Sequence, residues 1–150
     1  MSALAYIDSD KDTHFTGAIA QNAMELEAID LPADWQTAKI REIVIEGISI
    51  QADQNLEWDV FIFSKSTAED ADIDLDAFVD YTNYPTTSGK QIAGAGQFYY
   101  ATADMEIPYV NLDHESKIII GLVNRSATGK NAGATGEVKI RVAARPVLGE

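Results

Sequence analysis

Over most of its length the chain alternates apolar and polar positions with a period of two, which is the mark of half-buried strands. From Lys39 to Gln51 (KIREIVIEGISIQ), Ile43, Ile45 and Gly47 fall on one side and Glu42, Val44, Glu46 and Ile48 on the other. From Leu56 to Ser64 (LEWDVFIFS), Leu56, Trp58, Val60 and Ile62 oppose Glu57, Asp59, Phe61 and Phe63. The polar QADQN between the two segments predicts a turn that joins them as an antiparallel pair. Gln97 to Ala101, Lys117 to Val123 and Glu137 to Ala143 are further β-branched or aromatic runs. Thr16 to Ile29 contains good helix formers. Met24, Leu26 and Ala28 nevertheless alternate with Glu25 and Glu27 up to Ile29-Asp30-Leu31-Pro32, which favours a strand. Helix is predicted only in short pieces, at Pro32 to Thr37 and Asp74 to Tyr81.

The punctuation agrees with strands. Pro32, Pro85, Pro108 and Pro146 lie at the edges of apolar runs, where a strand tolerates proline. Glycines cluster at 94–96 and 129–136, between predicted strands. There is no internal repeat and no linker. The prediction is one all-β domain over residues 1–150, an antiparallel two-sheet β-sandwich, jelly-roll-like, with short N- and C-terminal arms.

Some strands are apolar on both faces, whereas a sandwich strand should wet one of them. In KIIIGLV, Ile118, Ile119, Ile120, Leu122 and Val123 leave no polar side. Val60 to Phe63 (VFIF) and Phe98 to Tyr100 (FYY) behave the same way. Either the chain covers these faces itself, or another molecule does.

Composition narrows the function classes. The net charge is −13, which argues against a nucleic-acid partner, because phosphate contacts need Lys and Arg. Cysteine is absent, so disulfides, thiolate metal sites and a cysteine nucleophile are excluded. No run approaches the ~20 apolar residues of a membrane helix. The N-terminal MSALAYIDSDKD lacks the basic and apolar regions of a secretory signal, so synthesis in a cytoplasm is expected. Charge is uneven along the chain. Residues 1–80 hold 18 acids against 4 bases, and residues 81–150 hold 6 against 7. Two readings fit: acidic solubilising loops, or an acidic pole opposite a near-neutral pole that packs on a partner.

No motif names a reaction. GxSxG and HExxH are absent, and His14 and His114 have no metal-ligand spacing. Ser126 to Asn131 (SATGKN) fails the phosphate-loop pattern at both ends, and the GAG at 94–96 lacks the third glycine of a dinucleotide fingerprint. The chain is therefore not read as an enzyme. No catalytic, cofactor-binding or metal residue is assigned. Asp8, Asp10 and Asp12 alternate as in calcium loops, but Thr13 and Ile19 replace the turn glycine and the final Glu of an EF-hand. Asp70, Asp72, Asp74 and Asp76 form a second alternating run, and solvated acidic loops are the better reading of both. Asn124-Arg125-Ser126 matches a glycosylation sequon, read as chance.

Residues 107–146 carry a Tyr-Val-x-Leu-Asp approach, an apolar strand ending in Leu-Val-Asn-Arg-Ser, a Gly/Ala/Thr loop and a final basic-apolar strand. With the upstream pieces LPADWQTAKIREIVIEGIS and NLEWDVFIFS, this resembles the auxiliary virion proteins of tailed bacteriophages, the β-sandwich proteins that decorate or cement icosahedral heads. The resemblance is one of style over roughly two thirds of the chain and carries no site residues. It implies a structural capsid decoration protein, homotrimeric, bound to the major capsid protein on the virion surface, without cofactor, nucleic acid or membrane. The alternative is a tail or fibre component, or a glycan-binding module, with Trp35, Trp58, Tyr81, Tyr84, Tyr99 and Tyr109 as a stacking platform.

Overall fold

A computed structural model describes residues 4–10, 13–66, 77–94, 96–128 and 138–147. Its elements in chain order are β1 (Ala5–Asp8), β2 (Met24–Asp30), α1 (Ala33–Thr37), β3 (Glu42–Ala52), β4 (Trp58–Phe63), β5 (Phe78–Tyr84), β6 (Lys90–Gln91), β7 (Phe98–Thr102), β8 (Ile107–Val110), β9 (Lys117–Asn124) and β10 (Val138–Pro146). The first sheet has the order β1-β10-β3-β7-β6, with β8 paired to the other half of β3. The second has the order β2-β9-β4-β5. Every strand pair is antiparallel. Successive strands cross between the sheets except at β4–β5 and along β6–β8. The all-β sandwich therefore has jelly-roll order.

That order overturns one local expectation. The polar 51–55 turn does not join β3 and β4 as a pair. It carries the chain from one sheet to the other, and β4 pairs with β5 and β9 instead. Each of these two strands has its own apolar face to bury, and facing each other across the core buries both.

Two further expectations change. Strand begins only at Met24, not at Thr16, because Phe15 and Asn22 have positive φ (53° and 62°) and break the extended run. The intervening loop plugs the gap between the sheets with Phe15 and Ile19, both buried. Glu25 and Glu27 face this loop, and Glu27 Oε2 accepts the Phe15 N–H at 3.0 Å. The helix expected over Asp74 to Tyr81 is replaced at its end by β5. Phe78 and Tyr81 are good strand formers that pair with β4, with Val79 at a register shift between them; residues 74–76 lie outside the described residues. The short helix after Pro32 is present as α1, and it buries Trp35.

The main core fills the space between the sheets. Ile43, Ile45, Ile48, Ile50, Val138, Ile140 and Val142 of the first sheet meet Trp58, Val60, Ile62, Ile118, Ile120 and Leu122 of the second. Ile48 was expected on the side of Glu42, yet it is buried with Ile43 and Ile45. The cause is a bulge. β10 pairs Ala143 with Gly47 and then Ala144 with Ile45, so Glu46 is one residue in excess. One extra residue returns the following positions to the opposite face.

Gly47 fits the bulge because a Cβ there would stand 2.9 Å from the Thr102 carbonyl oxygen. We expect Gly47→Ala to lower stability by about 1–3 kcal/mol, as overpacking does. Gly94→Ala, where nothing lies within 4 Å of the added carbon, should change it by less than about 0.5 kcal/mol. Urea midpoints of the two variants check this; equal midpoints would contradict the steric account.

Candidate functional site

Among the described residues, the polar side chains that invited a chemical reading are not brought together into one site. His14 lies in the loop after β1, where its Nδ1 accepts the Asp10 N–H at 2.8 Å. His114 lies in the β8–β9 loop. Asp8 belongs to β1, and its carboxylate is held by Arg141 and Lys139. Asp12 and the Asp70–Asp76 run lie outside the described residues, as does the Gly-rich 129–136 segment. Among the described residues no three acidic or histidine side chains gather to hold a metal ion. No helix among them is long and apolar enough to cross a membrane. The sequon residue Asn124 is fully buried. Its Nδ2 donates to the carbonyls of Ile19 and Thr128, both at 3.0 Å, and its Oδ1 accepts the Ser126 N–H. A glycan on it is incompatible with the fold.

The six-ring platform is not assembled. Trp35, Trp58, Tyr84 and Tyr109 belong to the main core. Burial raises the hydroxyl pKa of Tyr84 and Tyr109 above the ordinary phenol value. The Tyr109 hydroxyl accepts the Ile119 N–H at 3.1 Å. Tyr81 and Tyr99 are exposed, but they sit on different sheets.

What the fold does assemble is an apolar outer face on the second sheet. The pairing of β2, β9, β4 and β5 sets outward residues in rows: Ala28, Ile119, Phe63 and Phe78 form one row, and Leu26, Gly121, Phe61 and Tyr81 the next. Ile119 and Phe63 are closed over by Met24, Leu26, Ala28, Phe61 and Ala77. The second face of β9 is thus covered largely from within the chain, and no second molecule is required for that strand. What stays open is an aromatic ledge beside it. Phe61 stacks on Tyr81 at 5.4 Å between ring centroids and meets Phe78 edge-on at 6.5 Å. Tyr81 is 54% exposed. One end of this face is bounded by a polar network in which Arg125 Nε lies 2.7 Å from Asp59 Oδ2 and Asn83 Nδ2 donates to Asp59 Oδ1 at 2.7 Å.

The first sheet presents the opposite chemistry. Its outer positions carry ion pairs between Asp8 and both Arg141 and Lys139, and between Glu46 and Arg145. All five ion pairs among the described residues join an acid from residues 8–59 to a base from residues 117–145. Among the described residues, acids of the first half and bases of the second are brought together in these pairs.

No family model matches the chain, and no curated protein sequence matches it. Similar solved structures include two viral ones. One is the virus-like particle of the extra small virus of the giant freshwater prawn Macrobrachium rosenbergii. It has 8% identity and a TM-score of 0.37, over 97% of this chain and 77% of that one. The other is desmodium yellow mottle tymovirus, with 11% identity and a TM-score of 0.34, over 100% of this chain and 83% of that one. At these scores neither likeness adds to what the strand order already states.

The Asp8 pair gives a pH signature. Hydrogen bonding from Arg141 holds the Asp8 carboxyl below the usual carboxylate range, against partial burial that would raise it. Its contribution is therefore present above the unfolded value of about 3.9 and is lost as pH falls through the folded value. An exposed pair of this kind is worth at most about 1 kcal/mol. Asp8→Asn should cost up to that much at pH 7 and less at pH 2. Urea unfolding of wild type and variant at both pH values checks the sign.

Proposed function

We propose that this protein is a structural component of a virus particle, and specifically that it decorates the head of a tailed bacteriophage. It acts without catalysis. In this reading it is made in the host cytoplasm, associates as a homotrimer and binds the major capsid protein on the outside of the shell. The observation that carries the reading is the ledge of Phe61, Phe78 and Tyr81 on the outer face of the second sheet, at β5, the edge strand of that sheet among the described residues. Stacked rings left in water are a standing cost. Covering one large apolar side chain returns roughly 1.5–3 kcal/mol. An edge strand with unpaired backbone groups beside them adds a second reason for a neighbouring chain to settle there. Val110, Leu112 and Val147 add exposed apolar surface in a groove of about 590 Å³ at one end of the sandwich. That groove supplies a separate footprint, and linked weak footprints hold firmly on a repeating lattice.

The test has two arms. Sedimentation of the purified protein at micromolar concentration should show a trimer. Phe78→Lys with Tyr81→Lys should shift it to monomer while leaving a cooperative urea unfolding transition. A wild type that sediments as a monomer removes the self-association. Cryo-electron microscopy of intact particles should show the protein on the head, and heads assembled without it should open at lower temperature. Particles that lack it altogether remove the virion role.

A further inference from the structure

A groove of about 620 Å³ crosses the outer face of the first sheet, on the side away from the aromatic ledge. Its floor is low because Gly47, Ser49, Ala101 and Ala143 carry almost no side chain above the strands. Tyr6 stands at one side on β1, and Asp104 and Glu106 stand at the other in the β7–β8 connection. In the strand order β1-β10-β3-β7 these walls are three strand spacings apart, about 14 Å.

The Tyr6 wall is held in place. Arg141 grips Asp8 with two parallel hydrogen bonds, Nε to Oδ1 at 2.7 Å and Nη2 to Oδ2 at 3.0 Å. The clamped guanidinium lies 4.8 Å from the centroid of the Tyr6 ring. The ring is nevertheless 61% exposed. A ring both exposed and buttressed has already lost much of the rotamer freedom that binding would otherwise remove. The opposite wall offers acceptors. Asp104, at φ 58°, and Glu106 are exposed, and neither carboxylate has a hydrogen-bond or ion-pair partner among the described residues. A second groove of about 290 Å³ continues past Ser49, Ala101 and Arg141 to the exposed Tyr99.

The geometry points to a binding site for a neutral carbohydrate chain in this groove. The lining discriminates among ligand classes. An anionic ligand meets Asp104 and Glu106. A cationic one meets the Arg141 guanidinium at the Tyr6 ring. A sugar satisfies both walls, because its hydroxyls donate to the carboxylates and accept from the N–H groups that Arg141 does not spend on Asp8. The C–H face of its ring lies on the open face of Tyr6. Tyr99, at the far end of the continuing groove, gives a longer chain a second ring. The inference does not depend on the assembly role, since it uses the other sheet.

The wild-type protein is applied to an array of neutral, sialylated and sulfated oligosaccharides, together with an oligolysine peptide. The best neutral oligosaccharide is then titrated by calorimetry. Tyr6→Ala should weaken its binding about tenfold or more, and Asp104→Asn and Glu106→Gln each by about tenfold, the worth of a hydrogen bond to a charged group. Tyr6→Phe, which keeps the ring, should bind within about twofold of wild type, as should Tyr81→Ala on the other sheet. Titrated amide spectra should shift at Ser49, Ala101 and Asp104. Binding of no neutral glycan, binding only of sialylated or sulfated chains or of oligolysine, or loss of binding in Tyr81→Ala with retention in Tyr6→Ala would each overturn the inference.

Discussion

Water is excluded from both faces of β9, and the architecture follows from that constraint. Ile118, Ile120 and Leu122 enter the main core, whereas Ile119 is sealed on the outer side. A strand buried on both faces must be central, so β2 and β4 flank it. Sealing its outer side needs side chains that lie flat across it. Gly121 permits this, since a Cβ there would come 2.6 Å from Met24 Sδ and 2.8 Å from Phe63 Cε2. Met24 and Phe63 close over the gap, and the ring of Phe63 is then stacked by Phe61, at 6.1 Å. The aromatic ledge is the outward continuation of the cover that β9 requires.

The same strand ends in Asn124, whose amide ties the 13–23 loop to the turn after β9. A buried amide with both ends satisfied fixes a single arrangement of those segments, because leaving either end unpaired costs about 1–3 kcal/mol. Asn111 does the same before β9, accepting the N–H groups of Asp113 and Glu115 and donating to the Lys117 carbonyl. Two buried asparagines thus set the entry and the exit of the most buried strand.

The strands were legible in the sequence because their faces differ in chemistry: β10 alternates buried and accessible positions from Val138 to Pro146. The two-sided burial of β9 was also visible, as a run with no polar position. What covers it was not, since Met24, Phe61 and Phe63 come from two other strands and only register brings them together. Pairing between β3 and β4 was misread for a related reason. A short polar turn fits a hairpin and a crossover equally, and only the demand of each strand for an apolar partner across the core decides. The bulge at Glu46 left a trace that can be seen in retrospect, a shift of the apolar phase between Ile45 and Ile48. The Tyr6 groove left none, because Tyr6, Ser49, Asp104 and Arg141 are ordinary surface residues until four strands and a loop align them.

The two outer faces are suited to different encounters by the cost of drying them. On the first sheet, Asp8, Glu46, Lys139, Arg141 and Arg145 are charged and paired at the surface. A flat protein partner would have to desolvate those ions, and the Coulombic gain seldom repays that. A hydroxylated ligand avoids the penalty, because it can replace hydration with hydrogen bonds of its own. On the second sheet the outward rows of Ala28, Ile119, Phe63 and Phe78, then Leu26, Gly121, Phe61 and Tyr81, hold no charge to desolvate, and the Asp59–Arg125 pair lies at their border. A protein neighbour therefore gains most and loses least there. An assembly that seats the second sheet against other chains leaves the grooved sheet turned to solvent, where a soluble ligand can reach it.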